Sequence, residues 1–150
     1  MKSMQTTQNQ VTLVNADGLI LGRMASVVAK NLLNGQRVVI VNAEKAIISG
    51  KKKSKVAEAK EFLDVGGVGQ GPFHYRRPDR IIRKTVRGML PFKQPKGKNA
   101  LKKLKVFISV PEDLKDQQMV SIEEAQAAKL NGPHFTLADL AKQIGWNQGE

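Results

Sequence analysis

The alternation of apolar and polar positions predicts a strand, a helix and a second strand near the start of the chain. Val11 to Asn15 is a short β-prone run that ends at the turn Ala16-Asp17-Gly18. Apolar residues then recur at helical spacing from Arg23 to Leu33, and Asn34-Gly35 supplies a C-terminal stop. The unbroken apolar run from Arg37 to Asn42 is typical of a strand that is covered on both faces. This order predicts a βαβ unit with a right-handed crossover.

Two further apolar runs predict short strands. One extends from Ala46 to Ser49. The other extends from Lys105 to Val110, and we expect it to lie centrally in the sheet and to end at Pro111. Between these runs, a lysine-rich stretch leads into a predicted helix that ends near Leu63 and whose apolar stripe is thin. Strands that alternate with helices indicate the α/β fold class.

Capping sequences predict two helices in the last part of the chain. Ser121-Ile-Glu-Glu124 has the spacing of a capping box and predicts a helix that ends near Leu130. Thr136-Leu-Ala-Asp139 predicts a second helix, which Gly145 closes. Neither helix has a basic face, so we expect residues 110–150 to form an acidic helical extension that covers the domain or contacts other proteins.

The most strongly two-sided segment of the chain is a predicted helix from Pro78 to Leu90, because proline suits the first helical position and Pro91 prevents continuation. At about 100° per residue, its apolar side carries Ile81, Ile82, Thr85, Val86 and Met89. Its opposite side carries Arg80, Arg83, Lys84 and Arg87. One face therefore suits a core and the other an anion, and the break after Gly88 leads to a second basic helix from Asn99 to Lys103.

Positive charge is concentrated in the same part of the chain. The 150 residues carry a net charge of +12. Residues 51–105 contain 17 Lys and Arg but four Asp and Glu, a net charge of +13, and the remainder sums to −1. A basic block this concentrated indicates a polyanionic partner, although a solvated charged face is the alternative interpretation.

Lysines crowd the start of the helix that ends near Leu63. Lys51, Lys52, Lys53 and Lys55 there oppose the helix macrodipole, which favours anions at a helix N-terminus. Their position becomes favourable if a phosphate binds beside them. A helix that begins later, at Ser54, is the alternative.

Missing residue types exclude several functions. The chain has no Cys, which excludes disulfides, zinc–thiolate sites and thiol catalysis. No apolar run approaches the roughly 20 residues of a membrane span, and the first ten residues lack the apolar core of a signal peptide. We therefore expect a disordered polar tail at residues 1–10, a single domain at residues 11–150 and a cytoplasmic location. His74 and His134 have no metal-ligand spacing, so we expect neither a metal nor a cofactor.

The glycine-rich loop from Val65 to Pro72 makes a nucleotide-binding enzyme the main alternative function. Pro72 stands where the third glycine of a dinucleotide-binding fingerprint belongs, and the loop follows a predicted helix rather than a strand. No nucleophile elbow or metal motif supports catalysis, so we expect no enzymatic activity. The preferred interpretation of the loop is flexible backbone that fits closely against a partner.

Folded RNA is the polyanion that this composition favours. The chain has one Trp, one Tyr and five Phe, which we expect mostly in the core and therefore not as a stacking platform for single strands. No zinc finger, basic zipper or helix-turn-helix pattern indicates a DNA-binding protein. Cations on helix faces suit an RNA backbone that is recognised by shape and phosphate. His74 is a further candidate, either for contact with RNA or for a structural role.

Motifs in and around the basic block resemble those of a known family. The block contains Arg76-Arg77-Pro78-x-Arg80-x-Ile82, then Val86-x-Gly88-Met89-Leu90-Pro91, then Lys103-Leu104-Lys105-Val106. With Asp17-Gly18-x-x-Leu21-Gly22-Arg23 and Ser49-Gly50-Lys51, these motifs resemble the large-subunit ribosomal protein "L thirteen" family in order and spacing. The direct join of Gly35 to the next strand and the acidic tail are similar to the archaeal type.

The resemblance implies a three-layer α/β/α fold around a small, mainly parallel four-stranded sheet, with basic helices and a C-terminal helical extension. It implies a structural constituent of the large ribosomal subunit that binds the subunit's RNA, supports assembly and contacts neighbouring ribosomal proteins. A regulatory RNA-binding module outside the ribosome is a further alternative. The motifs and the basic block together predict RNA contacts at Arg23, Lys51, Lys52, Lys53, Lys55, His74, Arg76, Arg77, Arg80, Arg83, Lys84, Arg87, Lys93, Lys96, Lys98, Lys102 and Lys103.

Overall fold

A computed structural model describes residues 11–148 and contains the predicted βαβ unit. Strand β1 (Val11–Asn15) is followed by helix α1 (Leu21–Leu33) and strand β2 (Arg37–Val41). The two strands pair in parallel along their whole length. Helix α1 packs five buried residues into the core, because its apolar positions recur at helical spacing.

The remaining elements follow in chain order. They are β3 (Ile47–Ser49), α2 (Lys52–Asp64), α3 (Pro78–Met89), α4 (Pro95–Lys102), β4 (Leu104–Val106), β5 (His134–Thr136) and α5 (Leu137–Gln143). The basic helices α2 and α3 thus lie where the sequence predicted helices, whereas α4 begins at Pro95, four residues before its predicted start at Asn99. Helix α2 begins at Lys52 and not at Ser54, the alternative start, so Lys51, Lys52, Lys53 and Lys55 all lie at its N-terminal end.

The strands form two sheets rather than the expected four-stranded sheet. The main sheet has the order β1-β2-β4 and is entirely parallel, whereas β3 and β5 form a separate antiparallel pair. The chain is therefore α/β with a small parallel sheet, but β4 is an edge strand and not the central strand that its sequence suggested. Strand β2 is central, and its four residues after Arg37 are buried, as its unbroken apolar run requires.

Strand β4 ends well before the predicted Val110 because a buried carboxylate bends the chain. The side chain of Glu44 is almost fully buried, and it accepts hydrogen bonds from the Ser109 backbone N–H at 3.0 Å and from the Ser109 hydroxyl at 3.4 Å. Ser109 takes the left-handed conformation, with φ of 60°. Such a residue cannot continue a strand, so regular pairing does not reach Val110, although Phe107 N–H still donates to Ile40 O at 2.8 Å.

The two faces of the main sheet have different covers. One face packs against helices: Val38, Ile40 and Leu104 share a core with residues of α1, α3 and α4. On the other face, Leu13, Val39 and Val41 pack against Phe107, Val110, Leu114 and Met119. Within residues 11–148, this second cover is irregular chain with one short 3-10 turn, Glu112–Leu114. It is not the second helix layer that the expected three-layer arrangement requires.

The predicted helix from Ser121 to Leu130 is wrong. Residues 123–125 and 127–129 form two separate 3-10 turns. The reason is that their backbone bonds to the rest of the domain: Ile20 N–H donates to Ala125 O at 2.6 Å, and Ala127 N–H donates to Gly18 O at 2.9 Å. Tertiary hydrogen bonds thus replace helical ones and leave Ala125 fully buried. The expected acidic extension therefore contains one α-helix among its described residues, not two.

The last helix agrees with its capping signal. The Thr136 hydroxyl accepts a hydrogen bond from the Asp139 N–H at 3.3 Å, which opens α5, and Gly145 follows the helix at a φ of 108°. The expected polar tail at residues 1–10 lies outside the described residues. No helix within residues 11–148 is long and apolar enough to cross a membrane.

Candidate nucleic-acid interface

Helix α3 is anchored so that its cations face outwards. Pro78 occupies the first turn, and the extended Arg77 precedes it. Ile82 and Val86, one turn apart, are fully buried, and together they fix the rotation of the helix about its axis. Arg80, Lys84 and Arg87 are consequently exposed along the opposite side, as the helical periodicity predicted.

Aromatic rings and one imidazole hold these cations in place. The Arg80 guanidinium lies 5.8 Å from the centre of the Tyr75 ring, and the Arg87 guanidinium lies 4.5 Å from the centre of the Phe92 ring. Each contact contributes roughly 0.5–1 kcal/mol at an exposed site. Lys84 Nζ lies 3.0 Å from His74 Nδ1. An ammonium only donates, so this contact is a hydrogen bond in which His74 Nδ1 is the acceptor.

Arg83 differs from its neighbours on α3. Its guanidinium donates to the backbone oxygen of Leu104 at 2.8 Å, and the side chain is half-buried. This bond ties α3 to the edge of strand β4. Among the predicted lysines and arginines, Arg83 is the one that is half-buried, and its bond to Leu104 gives it a structural role.

The break after Gly88 is a compact joint between α3 and α4. Leu90 is buried at the joint, and Gly97 of α4 is packed directly against the Pro91 carbonyl. Lys103, at the end of α4, donates to Gly35 O at 3.3 Å and so ties the joint to the end of α1. This arrangement brings a second group of exposed predicted residues next to α3: Lys93, Lys96, Lys98, Lys102 and Lys103.

A second basic region lies on α2, which packs on α5. This helix has no buried residue, and its first turn contains neither an acidic residue nor a side-chain cap. Lys52 is paired at 3.9 Å with Asp139 of α5, and Lys55 at 3.6 Å with Glu58. The uncapped N–H groups and the surrounding lysines make this helix end a favourable place for a phosphate.

The other predicted residues flank these two regions. Arg23 is exposed on the first turn of α1, a helix that packs against α3. Arg76 and Arg77 precede α3; Arg77 Nε lies 3.3 Å from Asp79 Oδ1, and Arg76 passes beside Gly145 after α5. The half-buried Trp146 lines a pocket with both arginines, which gives the C-terminal segment a place next to the basic surface.

Three aromatic side chains are exposed, contrary to the expectation that the rings lie mostly in the core. The exposed fractions are 53% for Phe62, 78% for Phe73 and 43% for Tyr75. For Phe62 the sequence does contain a signal of exposure: the apolar stripe of α2 runs through Ala59 and Leu63, and Phe62 lies outside it. Phe73 and Tyr75 lie in a segment without regular periodicity, so no sequence signal identified them.

The glycine-rich loop does not have the setting of a nucleotide site. It follows α2 and leads into the extended segment 73–77 before α3, whereas a dinucleotide loop joins a strand to a helix. Among the described residues, no group of three or more His, Asp or Glu side chains is arranged to hold a metal ion.

Comparison with known proteins identifies related chains. The profile of the family described as ribosomal protein L13 matches residues 9–113. The large ribosomal subunit protein uL13 of Methanococcoides burtonii is 45% identical over 136 residues, which cover 90% of this chain and 98% of the relative. The proteins of the same name from Archaeoglobus fulgidus and Saccharolobus solfataricus are 42% and 38% identical, and they cover 95% and 93% of this chain. The latter two matches extend over 92% and 96% of the relatives' own lengths.

Proposed function

Because the chain belongs to the ribosomal protein L13 family, we propose that its basic surface binds the RNA of the large ribosomal subunit, of which the protein is a structural constituent. The similarity to archaeal relatives agrees with the archaeal type that the short join after Gly35 suggested. As part of that subunit, the protein is cytoplasmic. Its role is structural, and we assign no residue to catalysis.

The observation that carries the proposal is the rigid presentation of cations by α3. Ile82 and Val86 are fully buried beneath the helix, while Arg80, Lys84 and Arg87 project from it. A surface that is already ordered loses little conformational entropy when it binds. Phosphate contacts of this kind supply sequence-independent affinity for RNA.

Helix α4 and the start of α2 extend the proposed surface. Their exposed lysines add charge on either side of α3, so several phosphates are contacted at once. The predicted contacts of His74, Arg76 and Arg77 lie at the start of α3, between these regions. We further propose that the segment after residue 110, including Trp146, contacts a neighbouring ribosomal protein, because it carries a net charge of −4 and no basic face.

The salt dependence of RNA binding tests the role of α3. The double substitution Arg80→Gln, Arg87→Gln removes two proposed phosphate contacts without changing the size of either site greatly. Binding to archaeal large-subunit rRNA stripped of protein is measured by filter retention at a series of KCl concentrations. The slope of log affinity against log salt should fall in magnitude by about 1.4–1.8, at roughly 0.7–0.9 per contact.

Lys115→Gln, Lys129→Gln is the matched control, since it removes two exposed lysines outside the basic block. It should leave the slope unchanged. Equal slopes for the wild-type protein, the arginine variant and the control would contradict the proposed role of α3.

A further inference from the structure

The exposed aromatic rings line a groove that the phosphate contacts leave unexplained. The groove has a volume of about 370 Å³ and lies between α2, α3 and α5. Phe62, His74 and Tyr75 form its aromatic wall, and Ile81, Leu140 and Ile144 are among its apolar lining residues. The Phe62 and His74 rings are 5.7 Å apart and tilted by 40°. This volume is at the small end of the range for sites that take small organic molecules.

A basic pocket adjoins this groove. It is lined by Arg80, Arg83 and Arg87 together with Tyr75 and Lys84, and the last two residues also line the aromatic groove. None of the described residues that line either cavity is acidic. An apolar groove with aromatic rings in its wall therefore adjoins a basic pocket that suits an anion.

We propose that this double cavity binds one unpaired nucleotide of the large-subunit RNA, with its base in the aromatic groove and its phosphate in the basic pocket. The inference rests on the proposed function and adds a stacking contact to it. Unpaired bases in RNA stack on Phe, Tyr and His rings, and such stacking tolerates any base because each has a flat π-face. Lys84, on the shared wall, then donates to the base edge or to its phosphate.

The charge of the site favours a nucleotide over an apolar segment of a neighbouring protein. Lysine is depleted at the centres of protein–protein interfaces, yet Lys84 is exposed at the groove and lies 3.0 Å from His74. Arg80 lies over the face of Tyr75. A protein side chain would leave these cations without a counter-charge, whereas a nucleotide carries its own anion.

Substitution of the rings tests the proposal, because Phe62 and Tyr75 are exposed and can be changed without loss of the core. Phe62→Leu and Tyr75→Leu keep apolar volume and remove the stacking surface. Each should weaken binding to protein-free archaeal large-subunit rRNA by about fivefold or more, with the salt slope unchanged because no phosphate contact is lost. Phe73→Leu is the matched control: this ring is more exposed but does not line the groove, so affinity should stay within about twofold.

Cross-linking identifies the occupant directly. Ultraviolet irradiation of the rRNA complex joins stacked rings to bases, and mass spectrometry should locate an adduct on Phe62, His74 or Tyr75. The proposal would be overturned if Phe62→Leu and Tyr75→Leu bound rRNA no more weakly than the Phe73→Leu control and no adduct formed in residues 59–88. So would a photoreactive residue at position 62 that, in assembled subunits, cross-links to a protein. A wild-type protein that failed to bind rRNA would instead contradict the proposed function itself.

Discussion

Helices α2 and α3 both expose cations, but they are supported very differently. Beneath α3, Ile82 and Val86 are fully buried, and Arg83 ties the helix to the sheet. Helix α2 buries no residue and rests on α5 through its partly buried positions. Its N-terminal lysines also oppose its dipole. The contrast suggests two ways to present positive charge: α3 is held by the core of the protein, whereas we expect RNA binding to add to the order of α2.

The largest expected difference between the two helices concerns stability. Ile82→Ala creates a cavity beneath α3 and should lower the free energy of unfolding by about 2–5 kcal/mol. Leu63→Ala, the matched truncation on α2, removes a half-buried side chain and should change it by about 1 kcal/mol or less. Urea denaturation measures both values. Similar losses for the two variants would show that α2 is anchored as firmly as α3.

The next comparison concerns two glycines on either side of the α3–α4 joint. A Cβ at Gly97 would collide with the Pro91 carbonyl and lie 2.8 Å from Phe92 N, whereas a Cβ at Gly88 meets nothing within 4 Å. Gly97→Ala should therefore destabilise the protein by about 1–3 kcal/mol. Gly88→Ala should stabilise it by roughly 0.4–1 kcal/mol, since alanine restricts the unfolded chain and suits a helix. Changes of the same sign in urea denaturation would contradict the packing described for the joint.

Hydrogen exchange of the free protein should separate the helices by local stability. Helix α2 has no fully buried side chain to hold it in place. We therefore expect its amides to exchange at least about tenfold faster than those of α3. Addition of large-subunit rRNA should then slow exchange in α2 more than in α3. Mass spectrometry of peptides from each helix measures both effects. If the amides of α2 and α3 exchanged at equal rates in the free protein, the proposed difference in order between the two helices would be contradicted.

The smallest expected effect reverses the charge at the start of α2. Lys53→Glu places an acid in the first turn and should raise the stability of the free protein by roughly 0.3–1 kcal/mol at low ionic strength. The same change should weaken rRNA binding, because it replaces a proposed phosphate contact with a repulsive charge. Lys60→Glu, later in the same helix, is the control and should not produce the stabilisation. Thermal unfolding and filter retention together measure the two opposite effects.

Sequence periodicity was sufficient for elements that are stabilised by their own residues. The stripe of α3 identified both its buried and its exposed sides, and the unbroken apolar run of β2 identified a strand that is buried on both faces. Sequence was not sufficient where distant groups decide the conformation. The capping box at Ser121 is present, but no α-helix follows it, because Ala125 and Ala127 form backbone hydrogen bonds with Ile20 and Gly18 instead of within a helix. Likewise, Glu44 bends the chain at Ser109 and ends β4 early.

The candidate site was predictable in the same unequal way. Exposure of the cations follows largely from helix geometry, and all the predicted lysines and arginines except Arg83 are exposed. The aromatic groove was not predictable, because it depends on the position of α2 relative to the segment before α3. Phe62 and His74 are 12 residues apart in the sequence, and no periodicity links them. The structure is needed to show that the centres of the two rings are 5.7 Å apart and that both rings line the same groove.

The bond between Arg83 and Leu104 also bears on solubility before assembly. Strand β4 is short and lies at one edge of the sheet, where unpaired backbone groups attract strands of other molecules and lead to aggregation. Arg83 occupies one of these groups with a charged side chain. At the opposite edge, Val120 bonds to Leu13 and Asn15 of β1. Each edge thus has backbone groups that are bonded within the chain, and we expect these bonds to disfavour self-association of the protein before it binds RNA.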